Sequence, residues 1–367
     1  MDAYVLTEFG EGEIVDIPRP TPDADEVLIA VDRVQLSVTE CALFQGREGI
    51  AHDVVTERIE QGDGRLFGHE FCGTVVETGT GVSSVSVGER VFAIGSIHCG
   101  SCVYCAGESP ELCTDREIIG MDRPGALAEY ISLPTSAVRT LPETVTDTEG
   151  AALQPVATSL IDVLESGLSP GDTVCVVGAG VIGNSIGQIA LESGARQVFA
   201  IDISSEKVRL ATENGMHGVD ASEVDALSYI AEQVGGHGLD IAFEAVGGVQ
   251  DSLTDGSDPV AQAYQVIRPG GTVCLVGHIP GELSLKPLDV IQKGVRIVSG
   301  LDIAGAIPTG PGGDSARFAV ELVADNRISI SEFVTHELDG LDSTEKAVDI
   351  TLNKDAYGAR GPAQINL

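Results

Sequence analysis

Gly178, Gly180 and Gly183 stand in the run G-A-G-V-I-G, directly after the apolar stretch TVCVV and at the start of the apolar-faced segment 181–195. Alone, a G-x-G-x-x-G pattern is weak; after a strand and opening a helix, it restricts the chain to few folds. The first glycine permits a tight turn, the second lets backbone approach a pyrophosphate, and the third lets helix and strand pack closely. A helix beginning at Val181 and Ile182 then presents its positive end to that pyrophosphate. The next strand, QVFAID (197–202), ends in Asp202, 24 residues after Gly178, where an acid binds ribose hydroxyls. A carboxylate there repels a 2′-phosphate, so the expected cofactor is NAD(H) rather than NADP(H).

The same alternation continues through SSEKVRLATENGM, a helix with serine at its cap, and the strands LDIAFEAVG (239–247), GTVCLVG (271–277) and VRIVSG (295–300). Strand–helix alternation predicts an α/β domain, a doubly wound parallel sheet of the Rossmann type. Residues 1–150 read differently, as short strands such as VLIAVDRVQL (27–36), FCGTVVETG (71–79) and ERVFAI (89–94), bounded by Gly, Pro and Asp. The tail ends in GPAQINL, a further strand. The expected partition is a β-rich domain, 1–155 plus 300–367, interrupted by a dinucleotide domain at 156–299.

Cys99, Cys102, Cys105 and Cys113 form a C-x2-C-x2-C-x7-C array inside a lobe of about 95–115. Four thiolates so close can wrap one tetrahedral Zn²⁺. A closed sulfur shell leaves no position for substrate, so this metal is expected to be structural. An iron–sulfur cluster or disulfides are the alternatives at that spacing.

The chain has 56 acidic and 21 basic residues among 367, a formal net charge of −35, with five lysines beside sixteen arginines. No basic stripe exists to neutralise phosphates, which argues against nucleic acid and anionic membranes as partners. No apolar run reaches the roughly 18 residues of a membrane span, and the N-terminus does not read as a signal peptide, so the expected location is cytoplasmic. Charge of this density repels itself in dilute buffer and is screened in molar salt, where the Debye length falls to about 3 Å. The composition resembles that of proteins from an extreme halophile.

With the tripeptide Gly68-His69-Glu70, the cysteine lobe and R-P-G-G-T-V at 268–273, the whole chain resembles the zinc-containing medium-chain alcohol and polyol dehydrogenases. The resemblance implies a GroES-like β-rich catalytic domain beside the Rossmann domain. It implies hydride transfer between NAD(P) and an alcohol, polyol or sugar, or the reverse carbonyl reduction, in a homodimer or homotetramer. It also implies a second, catalytic zinc held by a Cys in a CGTD-like segment, the His of GHE, and a Cys or Glu before the dinucleotide domain. Here the chain departs from the family. L-S-V-T-E-C-A (36–42) places Ser37 at the first ligand position, and L-Q-P-V-A (153–157) places Gln154 at the third. A hydroxyl and a neutral amide are weak zinc ligands.

Three readings follow. Zinc binds through His69 and Glu70 with help from Cys41, one helical turn beyond Ser37; or zinc is absent and Ser37, Thr39, His69 and Gln154 hold the substrate oxygen in a carbonyl or enone reductase; or the chain binds dinucleotide without turnover. Thr39 matches the hydroxyl of the family's proton relay, whose next station is Ala42 here. Weaker candidates are His52 at the cleft mouth, His98 beside the cysteines, His278 near the nicotinamide, and Glu244, which either faces the cofactor cleft or caps a helix.

Overall fold

The computed structural model describes residues 1–107, 109–254, 258–300, 305–310 and 313–367. Glu108, inside the cysteine lobe, lies outside them. The chain divides into two compact units: Met1–Ala157 with Ile303–Asn326 and Ile330–Leu367, and Thr158–Asp302 with Arg327–Ser329. The short return of Arg327–Ser329 has a local cause. Gln188 donates to the Ser329 carbonyl at 2.9 Å and accepts from its N–H at 2.7 Å, which stitches that segment to the second unit's helix Val181–Glu192.

The first unit is organised by the ten-residue strand Glu26–Gln35, whose Val27, Leu28, Ile29, Val31 and Val34 are all buried. It pairs antiparallel with Glu70–Thr78, Tyr130–Pro134 and Gln364–Asn366. Arg90–Ala93 and Val138–Thr140 extend the sheet on one side and Glu337–Asp339 on the other. One apolar core, with Ile29, Phe71, Val91, Leu133 and Ile365, sits against this sheet. The strand runs straight into the helix Val38–Phe44, which starts at Ser37 because that hydroxyl accepts from the Glu40 N–H while Glu40 reaches back to the Ser37 N–H.

The second unit holds six parallel strands in the spatial order His217–Asp220, Gln197–Asp202, Thr173–Val177, Leu239–Glu244, Ile267–Leu275 and Arg296–Val298. This is the 3-2-1-4-5-6 order of the doubly wound dinucleotide fold, reversing between the third and fourth of these strands. Thr173–Val177 is buried along its whole length, as the continuous apolar run requires. At its end the chain turns at Gly178, whose φ of +98° suits glycine.

Gly183 fixes how closely helix and strand approach, since a Cβ there would lie 1.8 Å from the Gly178 carbonyl oxygen. Gly183→Ala is expected to cost about 2–3 kcal/mol in denaturant unfolding, as overpacking against backbone does. An unchanged midpoint would contradict the close approach.

Candidate active site and metal centre

The glycine loop is built for an anion. The 12-residue helix Val181–Glu192 has Gly180 at its N-cap, which supplies no side-chain cap to its first turn. A Cβ on Gly180 would meet nothing within 4 Å, so open space lies over the loop where a phosphate would approach. Asp202 sits beside it: Oδ2 accepts from the Ala179 N–H at 2.9 Å and Oδ1 from Ser204 at 2.9 Å. Lys207 Nζ stands 3.8 Å away and holds part of the carboxylate's field. Residues Gly178, Gly180, Val181, Ile182 and Gly183 thus line one turn with Asp202 at its edge, and these residues fit a dinucleotide.

Glu244 is wholly buried, and its Oε1 accepts from the amides of Val246 and Gly247 and from Gln250. It shapes the turn after its strand. The His278 carbonyl accepts from Gly248 on that same turn. His52 stacks on Phe9 with ring centroids 5.2 Å apart.

In the first unit the site is a half-buried histidine between two buried acids. His69 Nδ1 lies 2.6 Å from Glu40 Oε1, which also accepts from the His69 backbone N–H at 3.1 Å. Nε2 faces Glu70 Oε1 at 3.8 Å. The other Glu70 oxygen, Oε2, accepts from Gln35 Nε2 at 2.5 Å. Glu40 and Glu70 are both buried, and His69 keeps 12% of its side chain exposed. Burial pushes the Glu70 carboxyl up to about 7, against the opposing pull of His69 and Gln35.

The residues at the family's catalytic zinc position do not make a zinc shell. Ser37 caps the helix, its Oγ 3.1 Å from the Glu40 N–H and 3.4 Å from Glu40 Oε2. Cys41 is a correction to the expectation of an extra ligand. It is fully buried in the core, with Sγ toward the Leu36 carbonyl at 3.9 Å, and burial raises its thiol far above the ordinary range. Ser37 and Cys41 do stand one turn apart, the Cys41 N–H donating to the Ser37 carbonyl at 3.0 Å, but the Ser37 hydroxyl is held in the cap and the thiol lies in the core. Gln154 is half-buried on the helix Leu153–Ser166, its amide 3.1 Å from where a Cβ of Gly95 would be. Thr39 is half-buried in the first helical turn. Glu40 is the functional neighbour that motif reading missed, although Ser37-x-x-Glu40 is a capping-box signature.

Among the described residues, one group of three or more Cys, His, Asp or Glu can hold a metal: Cys99, Cys102, Cys105 and Cys113, with their sulfur atoms within 4.8 Å of one another. Cys99 and Cys105 sulfurs lie 4.0 Å apart. A tetrahedral shell at Zn–S of about 2.3 Å sets neighbouring sulfurs about 3.8 Å apart. Backbone N–H groups of Cys99, Cys102 and Cys105 point at the sulfurs of Cys113, Cys99 and Cys102. The amides of Cys105 and Thr114 draw the Cys102 thiol down to about 6, and none of the four is in a disulfide. These residues fit one structural zinc.

Fold and site together are those of a two-unit dehydrogenase, a GroES-like β-rich unit with a Rossmann unit. A family model described as the alcohol dehydrogenase GroES-like domain matches residues 23–143, and one described as zinc-binding dehydrogenase matches 181–304. L-threonine 3-dehydrogenase of Legionella pneumophila is 30% identical over 77% of this chain and 78% of its own length. Sorbitol dehydrogenase of Halalkalibacterium halodurans is 29% identical over 92% of each chain. A Sinorhizobium meliloti protein, titled a zinc-binding dehydrogenase in the name of its structure with NADP, superposes with a TM-score of 0.83 at 27% identity, covering 100% and 99% of the two chains. Galactitol-1-phosphate dehydrogenase of Escherichia coli shares the fold with a TM-score of 0.84 at 23% identity, over all of both chains. The chain belongs to the zinc-type medium-chain alcohol dehydrogenases, and is an oxidoreductase of that class.

Two outcomes follow. Cys102→Ser is expected to lose zinc, measured by elemental analysis, and to leave residues 95–115 open to limited proteolysis; retention of zinc would contradict the assignment. Glu70 holds its proton in the folded state up to about 7, against an ordinary value of 4.5. Its stabilising contribution is therefore present below about 4.5 and is lost as pH rises to 7, by up to about 1.4 kcal/mol per unit. Glu70→Gln should melt higher than the parent chain at pH 8, with the gap closing by pH 4.5; a gap constant with pH would contradict it.

Proposed function

We propose that this protein transfers hydride between NAD(H) and the carbinol carbon of an alcohol, polyol or sugar, or runs the reverse carbonyl reduction. The observation that carries the reading is the glycine loop with Asp202 bonded to Ala179 at its rim. The relatives named for sorbitol and L-threonine support a polar, hydroxyl-bearing substrate. Bound dinucleotide supplies the hydride acceptor or donor. The Asp202 carboxylate favours free ribose hydroxyls over a 2′-phosphate, which supports NAD as the working form.

His69 is the proposed group for the substrate's proton. Glu40 on Nδ1 fixes the ring and stabilises an imidazolium. Nε2 faces Glu70 Oε1 at 3.8 Å and is the proposed site of the proton. Thr39 and Gln154 are proposed to line the substrate's path, and Ser37 to hold the Glu40 cap.

The spent donors at Ser37 and Cys41 favour a zinc-free course within this reading, including carbonyl or enone reduction. Among the described residues the edge strand Arg296–Val298 has one neighbour in its sheet, and Leu288 and Ile291 on the nearby helix Pro287–Lys293 are exposed. Both support pairing with a second copy of this chain. The net charge of −35 supports work in a salt-rich cytoplasm.

The test is a panel of alcohols, polyols and carbonyls in molar salt, read as NAD-linked absorbance. Turnover with NAD at least tenfold faster than with NADP is expected, and Asp202→Ala should narrow that ratio. His69→Asn should lose about a hundredfold or more in kcat with dinucleotide affinity unchanged. Dinucleotide binding with no turnover across the panel would overturn the enzymatic reading in favour of a sensor.

A further inference from the structure

Glu70, Gln35 and Gln364 stand opposite one another on three adjacent antiparallel strands. All three are buried, at 5%, 1% and 0% exposure. Gln35 donates from Nε2 to Glu70 Oε2 at 2.5 Å, and its Oε1 accepts from Gln364 Nε2 at 3.0 Å. Gln364 Oε1 accepts from Arg33 Nη1 at 3.2 Å, and Arg33 is tied to Glu337 at 2.9 Å and to Thr148 Oγ1 at 2.9 Å.

The direction of this row is fixed at its Arg33 end. A guanidinium can only donate, so the Gln364 oxygen faces Arg33 and each amide N–H in the row points toward Glu70. Gln364 also donates to the Thr148 carbonyl at 2.9 Å, and a flipped amide would set two oxygens together there. Dipoles aligned head to tail away from a cation strengthen one another.

Burying two glutamines at opposed strand positions is costly for a sheet whose adjacent residues, Val34, Leu36 and Ile365, are buried apolar ones. An apolar pair would fill the same space. What the amides provide is a hydrogen-bonded grip on Glu70 that sets no counter-charge beside it, as a directly paired arginine would.

We propose that Arg33, Gln364 and Gln35 form a polarised row that positions Glu70 against His69, so that this chain handles the substrate's proton on a histidine braced from both sides rather than on a metal. The proposal rests on the dehydrogenase reading above. Gln35 pins Oε2 and leaves Oε1 toward His69 Nε2, while Glu40 pins Nδ1. In alcohol oxidation the O–H bond breaks and its proton passes to Nε2. The carbinol C–H bond breaks with its electron pair, which leaves as hydride on NAD⁺, and the carbon–oxygen double bond forms. Reduction runs the same transfers backwards. Gln35, Gln364 and Arg33 touch none of the reacting atoms and are positioning residues.

The test uses the full chain labelled with [¹⁵N]histidine, the His69 signals being those missing in His69→Asn. Gln35→Met, which keeps length and removes the donor, should shift the His69 Nε2 resonance and lower kcat about tenfold, with the KM for NAD unchanged. Gln364→Met should shift the resonance less, in the same direction. The double variant should match Gln35→Met alone, because the row acts only through Gln35. If Gln35→Met does not fold, Arg33→Met at the outer end carries the same resonance readout. An unmoved His69 resonance in folded variants, or additive effects on kcat, would overturn the proposal. A panel without turnover would instead overturn the functional reading, and the resonance would still decide the row.

Discussion

The Glu40 carboxylate is the interaction on which the first unit's site depends. One oxygen closes the cap of the helix Val38–Phe44, and the other holds both the ring and the backbone N–H of His69. A single buried acid thereby ties the end of the central strand to the start of Glu70–Thr78. It also settles the roles of its neighbours. Ser37 spends its hydroxyl on the cap, and the turn that follows carries Cys41 down into the core. The position that the resemblance marks for a first zinc ligand serves here as a helix cap. The histidine that remains is held as an acid–base group is held, by a carboxylate on one nitrogen.

The second unit depends on closeness instead. Gly178 turns, Gly183 admits the helix against the strand, and Asp202 reaches back to Ala179 to fasten the loop. All of these lie within one contiguous stretch of chain. That is why the glycine run, Asp202 and the alternation of strands and helices could be picked out in the sequence: each follows from neighbours along the chain. The cysteine lobe was legible for the same reason, as four ligands within fifteen residues need little from the rest of the fold.

The site around His69 was only half legible. His69 and Glu70 were marked by the Gly-His-Glu tripeptide, and Ser37 by alignment with the family's segment. Glu40 was overlooked because a capping box reads as local helix chemistry, and only the folded strand brings His69 onto its free oxygen. Cys41 does stand one turn beyond Ser37, but only the packing of the folded core turns its thiol inward. Gln35 and Gln364 could not be read at all. They are 329 positions apart, and only the register of Glu26–Gln35 between its two neighbours sets them side by side.

The central claim is that this dehydrogenase carries its zinc in the cysteine lobe and does its proton chemistry on His69 without a metal. Anomalous diffraction at the zinc edge, from crystals grown with zinc and NAD, tests it most directly. The account predicts one peak per chain, among Cys99, Cys102, Cys105 and Cys113. A second peak of comparable height within coordinating distance of His69 Nε2 and Glu70 would contradict it.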